Sequence, residues 1–145
     1  MDAKAGQRRY PRPMLPAALH AALTEACRAA GEPRLVLLFG SVARGTARPD
    51  SDLDLAIDLG RPLTADDKLA LIDALANASG RPVDLVDLRR AGVPLTGEIL
   101  KHGIRLAGDL SAYSALIARH LTDVEDFMPA YRRLMDARLA GWARP

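Results

Sequence analysis

The 145-residue sequence has a single cysteine, Cys27, so no internal disulfide can form and a reducing compartment is expected. Cys27 falls in an Ala/Leu-rich helical pattern, where a buried core thiol is expected and not a nucleophile. No apolar segment approaches the ~20 residues that a membrane-spanning helix needs, and no secretory signal pattern is visible. A cytoplasmic protein without membrane association is expected. The formal net charge is only +2, which lacks the strong basic footprint of a nucleic-acid binder and the basic channel of a polymerase. The three histidines, His20, His102 and His120, are scattered without metal-ligand spacing. Internal repeats and low-complexity linkers are missing as well. What remains is a chain with 49% hydrophobic residues, enough for a core. A basic tail with Lys4, Arg8, Arg9 and Arg12, residues 1–13, is expected to fray, followed by a single domain over residues 14–145.

Periodicity and punctuation place the elements. A helix is expected from about Leu15 to Ala30, stopped by Gly31 with Pro33 beyond. Strands follow over Arg34 to Phe39 and Leu53 to Leu59. Thr64 can cap a second helix, with Asp67 adding negative charge at its positive end, and Gly80 ends it. A third strand covers Pro82 to Leu88, a short helix Leu95 to His102, and a possible edge strand Ile104 to Ala107. A long final helix begins at Asp109 or Ser111. This order implies an α/β or α+β domain.

The segment from Leu38 to Ile57 carries the chemistry. An apolar run ends at a small-residue turn, Gly40-Ser41, and two carboxylates, Asp52 and Asp54, open the next apolar run. In a strand, residues two apart share a face, so Asp52 and Asp54 can point together while Leu53, Leu55, Ile57 and Leu59 face the core. Such a pair suits Mg²⁺ shared with substrate phosphates. Glycine permits close backbone approach, turn N–H groups and the Ser41 hydroxyl can hold phosphate oxygens, and Arg44 and Arg48 can neutralise them. Paired-metal transfer needs a third carboxylate. Asp84, charged in the middle of an apolar strand between Val83 and Leu85, offers it, whereas Asp87 falls on the other face and reads as a strand-end residue. The plainer roles are an ion pair with a surface acid for Arg44 and support of the Pro49-Asp50 turn for Ser51.

The pattern Gly40-Ser41, then Asp52-Leu-Asp54, then a lone Asp84 resembles the DNA polymerase β nucleotidyltransferase superfamily. The fuller form, Gly40-Ser41-Val-Ala-Arg44-Gly45 with Ser51-Asp52-Leu-Asp54-Leu, resembles its minimal nucleotidyltransferase branch, commonly the antitoxin half of HEPN/MNT toxin–antitoxin pairs. The similarity covers roughly residues 15 to 140. It implies a nucleotidyltransferase fold, a small mixed sheet flanked by helices with a long C-terminal helix. It further implies Asp52, Asp54 and Asp84 as catalytic ligands of two Mg²⁺ ions, and Gly40 and Ser41, with Arg44 and Ser51, around ATP. The implied reaction transfers AMP from ATP to a hydroxyl, a tyrosine, of the cognate HEPN ribonuclease, with the toxin as partner. The Arg-x₄₋₆-His motif of such toxins is absent here, so the chain is not itself the toxin. Two other functions fit the sequence: a non-catalytic antitoxin that acts by direct binding, and transfer to a small-molecule hydroxyl, for which the chain has little room.

The final helix repeats Leu110, Tyr113, Ile117, Val124, Phe127, Tyr131 and Leu134 at a period near 3.5, with a second row through Leu116, Leu121, Met128, Met135 and Leu139. Core packing explains such a face; so does a binding surface for a homodimer or for the toxin, with Phe127 and Tyr131 as anchors. Pro129 is expected to kink the helix near Glu125.

Overall fold

The computed structural model describes residues 16–142, so the tail expected over residues 1–13 lies outside the described residues. The order is α1 (Ala17–Ala29), β1 (Leu35–Phe39), α2 (Gly40–Arg44), β2 (Leu53–Asp58), α3 (Ala65–Ser79), β3 (Val83–Asp87), α4 (Val93–His102), β4 (Ile104–Gly108) and α5 (Leu110–Trp142). The strands form one mixed sheet in the order β3-β2-β1-β4. β1 runs antiparallel to both β2 and β4, and β2 runs parallel to β3. The parallel pair needs a crossover, which α3 supplies.

β1 is apolar without alternation because both faces of the sheet are covered. Val36 and Leu38 join Leu55 and Ile57 in one cluster with Leu23 and Cys27 of α1 and Leu71 and Leu75 of α3. Leu35 and Leu37 point the other way, joining Ala56, Ile99 of α4 and Leu116 of α5. Cys27 is fully buried, as its helical setting suggested, and burial pushes its thiol up to about 11.

Local signals set the ends of α3. Thr64 and Asp67 form a reciprocal capping box: the Asp67 N–H donates to Thr64 Oγ1 at 3.1 Å and the Thr64 N–H donates to Asp67 Oδ2 at 2.8 Å. Arg61 donates to the same carboxylate and, with the Thr64 N–H, holds it well below the usual carboxylate range. Gly80 closes the helix in the left-handed region. α4 starts at Val93, two residues before the expected Leu95, because Pro94 fits a first helical turn.

α5 is one helix through Pro129. The core explanation of its apolar rows holds only for its first turns, where Leu116 is buried and the helix packs on α4. Farther along, Leu121, Tyr131, Leu134, Leu139 and Trp142 are exposed. No helix of the described residues is long and apolar enough to cross a membrane.

Candidate active site

β1 ends at Phe39 and the chain enters α2 at once. The Gly40-Ser41 pair, expected as a turn, instead opens this five-residue helix, which Gly45 closes. Gly40 has φ +70, and a Cβ built on it would collide with the Asp54 carboxylate. Two independent constraints therefore demand glycine: a left-handed backbone and a carboxylate pressed against the main chain. The contact follows from the register, since Phe39 and Asp54 are cross-strand partners.

Asp52 and Asp54 line one concavity together, as their spacing of two suggested, although β2 itself begins at Leu53 and leaves Asp52 exposed just ahead of it. The sheet register also joins Asp54 to Asp84. These two are direct partners in the parallel register of β2 and β3, on the face that Ala56 and Val86 share with α4 and α5. Asp54 is half-buried, and its carboxyl is raised above the ordinary range by desolvation first, then by the charges of Asp84 and Asp52, with Arg44 opposing. Asp54 thus feels both other carboxylates and the cation. Among the described residues, however, no three acidic, imidazole or thiol groups stand close enough to make a preformed ion cage.

A concavity of about 530 Å³ opens here, lined by Gly40, Ser41, Arg44, Ser51, Asp52 and Asp54, with Arg48 and Asp50 at its wall. That size suits a nucleotide-sized ligand. Asp84 is not part of this lining; it is exposed beside Asp54 on the edge strand. The Ser51 hydroxyl accepts the Arg48 N–H at 2.8 Å, so it shapes the loop as well as lining the concavity.

Two positioning residues escaped the sequence. Arg81 Nη1 donates to the carbonyls of Arg48 (2.7 Å) and Ser51 (3.0 Å), pinning the loop that forms one wall. Asp87, expected only as a strand-end residue, is that and is also buried. It accepts the N–H groups of Leu63 and Arg89, both at 2.9 Å, tying the loop before α3 to the end of β3.

Residues 22–109 match the family model described as polymerase beta, nucleotidyltransferase. The chain belongs to the polymerase β nucleotidyltransferase family. Within that family it is 32% identical over 106 residues to the protein adenylyltransferase MntA of Shewanella oneidensis, covering 66% of this chain and 76% of the relative. A chain of a toxin–antitoxin crystal structure with AMP-PNP superposes with a TM-score of 0.76 at 25% identity, over 83% of this chain and 98% of the other. A second structure, the tri-AMPylated Shewanella oneidensis HEPN toxin in complex with MNT antitoxin, gives a TM-score of 0.71 at 22% identity, over 83% and 96%, and supports the nucleotidyltransferase fold.

Proposed function

We propose that this chain transfers AMP from ATP to a hydroxyl, a tyrosine by family resemblance, of a cognate HEPN ribonuclease toxin, and so acts as its antitoxin in the cytoplasm. The observation that carries this reading is the Asp54 carboxylate pressed against Gly40 with Asp84 in register beside it. The likeness to MntA, and to complexes that contain a HEPN toxin or AMP-PNP, supports the donor, the acceptor and the partner.

The residues fit a hard cation: the donors are all carboxylate oxygens, and positive charge between them would oppose the burial and the mutual repulsion that raise Asp54. Asp52, Asp54 and Asp84 would hold two Mg²⁺ ions, which supply charge neutralisation on the phosphates and acidify the acceptor hydroxyl. The acceptor oxygen attacks the α-phosphorus, the bond from that phosphorus to its bridging oxygen breaks, and pyrophosphate leaves. Asp84, exposed on the edge strand, takes the hydroxyl proton. Arg44 and Arg48 balance the charge that grows on the departing phosphates, and the Ser41 hydroxyl orients them.

The distal part of α5 serves as the docking surface for the toxin. Phe127 and Tyr131 stack one turn apart with ring centroids 5.6 Å from each other and are 36% and 43% exposed, which suits rigid interface anchors. This exposed row also favours a second reading, in which neutralisation is by binding alone. Labelled ATP distinguishes the two. With purified toxin and Mg²⁺, the native chain should label the toxin, and the Asp52→Asn/Asp54→Asn variant should stay folded and transfer nothing. Full labelling by that variant refutes the catalytic assignment.

A further inference from the structure

A second cavity, of about 200 Å³, opens between the sheet and the first turns of α5. It sits at Asp58, four residues along β2 from Asp54 and so about 13 Å from the site above. Three arginines from three different parts of the chain line it: Arg34 before β1, Arg89 after β3, and Arg119 on α5. Asp58 is the one carboxylate in the lining, and its Oδ1 is already engaged by Arg89 Nε at 2.9 Å and the Gly60 N–H at 2.7 Å. Arg119 donates through Nη2 to the Leu88 carbonyl, but its Nε is buried without an acceptor. Asp123 lies 4.0 Å from that Nε, beyond hydrogen-bond reach, and is half-exposed outside the lining. Arg34 has no carboxylate partner among the described residues.

We infer that this cavity is a binding site for a small phosphate oxyanion, distinct from the nucleotide concavity. Three guanidiniums line the cavity against one engaged carboxylate, and Asp123 pairs with Arg119 from outside it, so the lining keeps a net positive charge over a floor made apolar by Leu35, Leu88 and Leu116. Guanidinium forks match tetrahedral oxyanions, and the buried Nε of Arg119 supplies a donor with no other acceptor. Phosphate is anionic at neutral pH and presents several acceptor oxygens at once, which suits arginines arriving from three parts of the chain. No aromatic ring lines the cavity, so a nucleobase finds no stacking surface, and a free inorganic phosphate suits it better than a nucleotide. Because Arg119 belongs to α5 while Arg34 and Arg89 flank the strands, the bound anion ties the root of α5 to the sheet. Occupancy then stiffens the base of the helix whose outer half is exposed.

The test is calorimetric titration of the full chain with inorganic phosphate at constant ionic strength, with chloride as the counter-anion control, alongside melting curves. Saturable binding and a melting temperature that rises with phosphate but not with chloride are expected. Removing one charge-assisted contact by Arg34→Met or Arg119→Met should weaken binding about tenfold or more, whereas Arg44→Ala should leave it in place. Arg119→Met also removes the bond to Leu88 and can impair folding, so the exposed Arg34 keeps the test decisive. Absence of saturation in the millimolar range, or loss of binding in Arg44→Ala with retention in Arg34→Met, overturns the inference; the second outcome places the anion in the Asp54 concavity.

Discussion

Gly40→Ala separates the two demands on that residue. A Cβ in the left-handed region costs about 1–2 kcal/mol. At Gly40 it would also strike the Asp54 carboxylate, which must leave its rotamer at a further cost of about 0.5–1.5 kcal/mol. Gly80 is the control. Its φ of +66 is nearly the same, but a Cβ there meets nothing within 4 Å, so Gly80→Ala pays only the backbone cost. For a chain of this size, about 3 °C per kcal/mol, Gly80→Ala should lower the melting temperature by roughly 3–6 °C and Gly40→Ala by roughly 5–10 °C. Transfer rates measured well below both transitions should diverge far more. Gly80→Ala should work at the native rate, whereas displacing Asp54 by ~1 Å should cost Gly40→Ala about 10²-fold. Equal melting temperatures and equal rates for the two variants would refute the claim that Gly40 exists to admit Asp54.

Other consequences follow from the same geometry. Asp67 sits below its unfolded carboxylate value, so its contribution is fully present above about pH 5 and is lost as pH falls through the folded value; Asp67→Asn should flatten the acid limb of the stability profile in urea titrations. Arg81→Met frees the Arg48–Ser51 loop without touching a reacting group, and steady-state kinetics should show a raised KM for ATP with a smaller effect on kcat. Phe127→Ala and Tyr131→Ala should weaken toxin affinity while the isolated chain melts within a few degrees of native. A core Phe→Ala would cost about 3–5 kcal/mol, so a large fall in melting temperature with unchanged affinity would move the interface elsewhere.

The parts of the fold legible in the sequence were those written locally. Thr64 with Asp67, and Gly80 fifteen residues past the first α3 residue, bound α3 because caps and stops are short-range devices. β1 announced itself as an unbroken apolar run. The candidate site was legible as residue types, but its geometry was not. α2 was hidden because a five-residue helix opened by a glycine at positive φ has the composition of a turn. Asp52 and Asp54 were readable as neighbours, whereas the register that sets Asp84 directly beside Asp54 was not, because a whole helix closes that parallel pair. Nothing near Arg81 signals its reach to carbonyls some thirty residues earlier. The exposure of outer α5 was equally undecidable, since a periodic apolar face looks the same whether its cover lies within the chain or on another one.

The intact mass of the HEPN toxin after incubation with Mg²⁺ and ATP reports AMP transfer without a label. With the native chain the toxin should gain mass in whole AMP units and lose ribonuclease activity. With Asp54→Asn it should gain none and stay active, even though the variant, relieved of a carboxylate crowded by burial, Asp84 and Asp52, should melt no lower than native. Silencing of the toxin by Asp54→Asn without any gain in mass would leave binding, not chemistry, as the antitoxin mechanism.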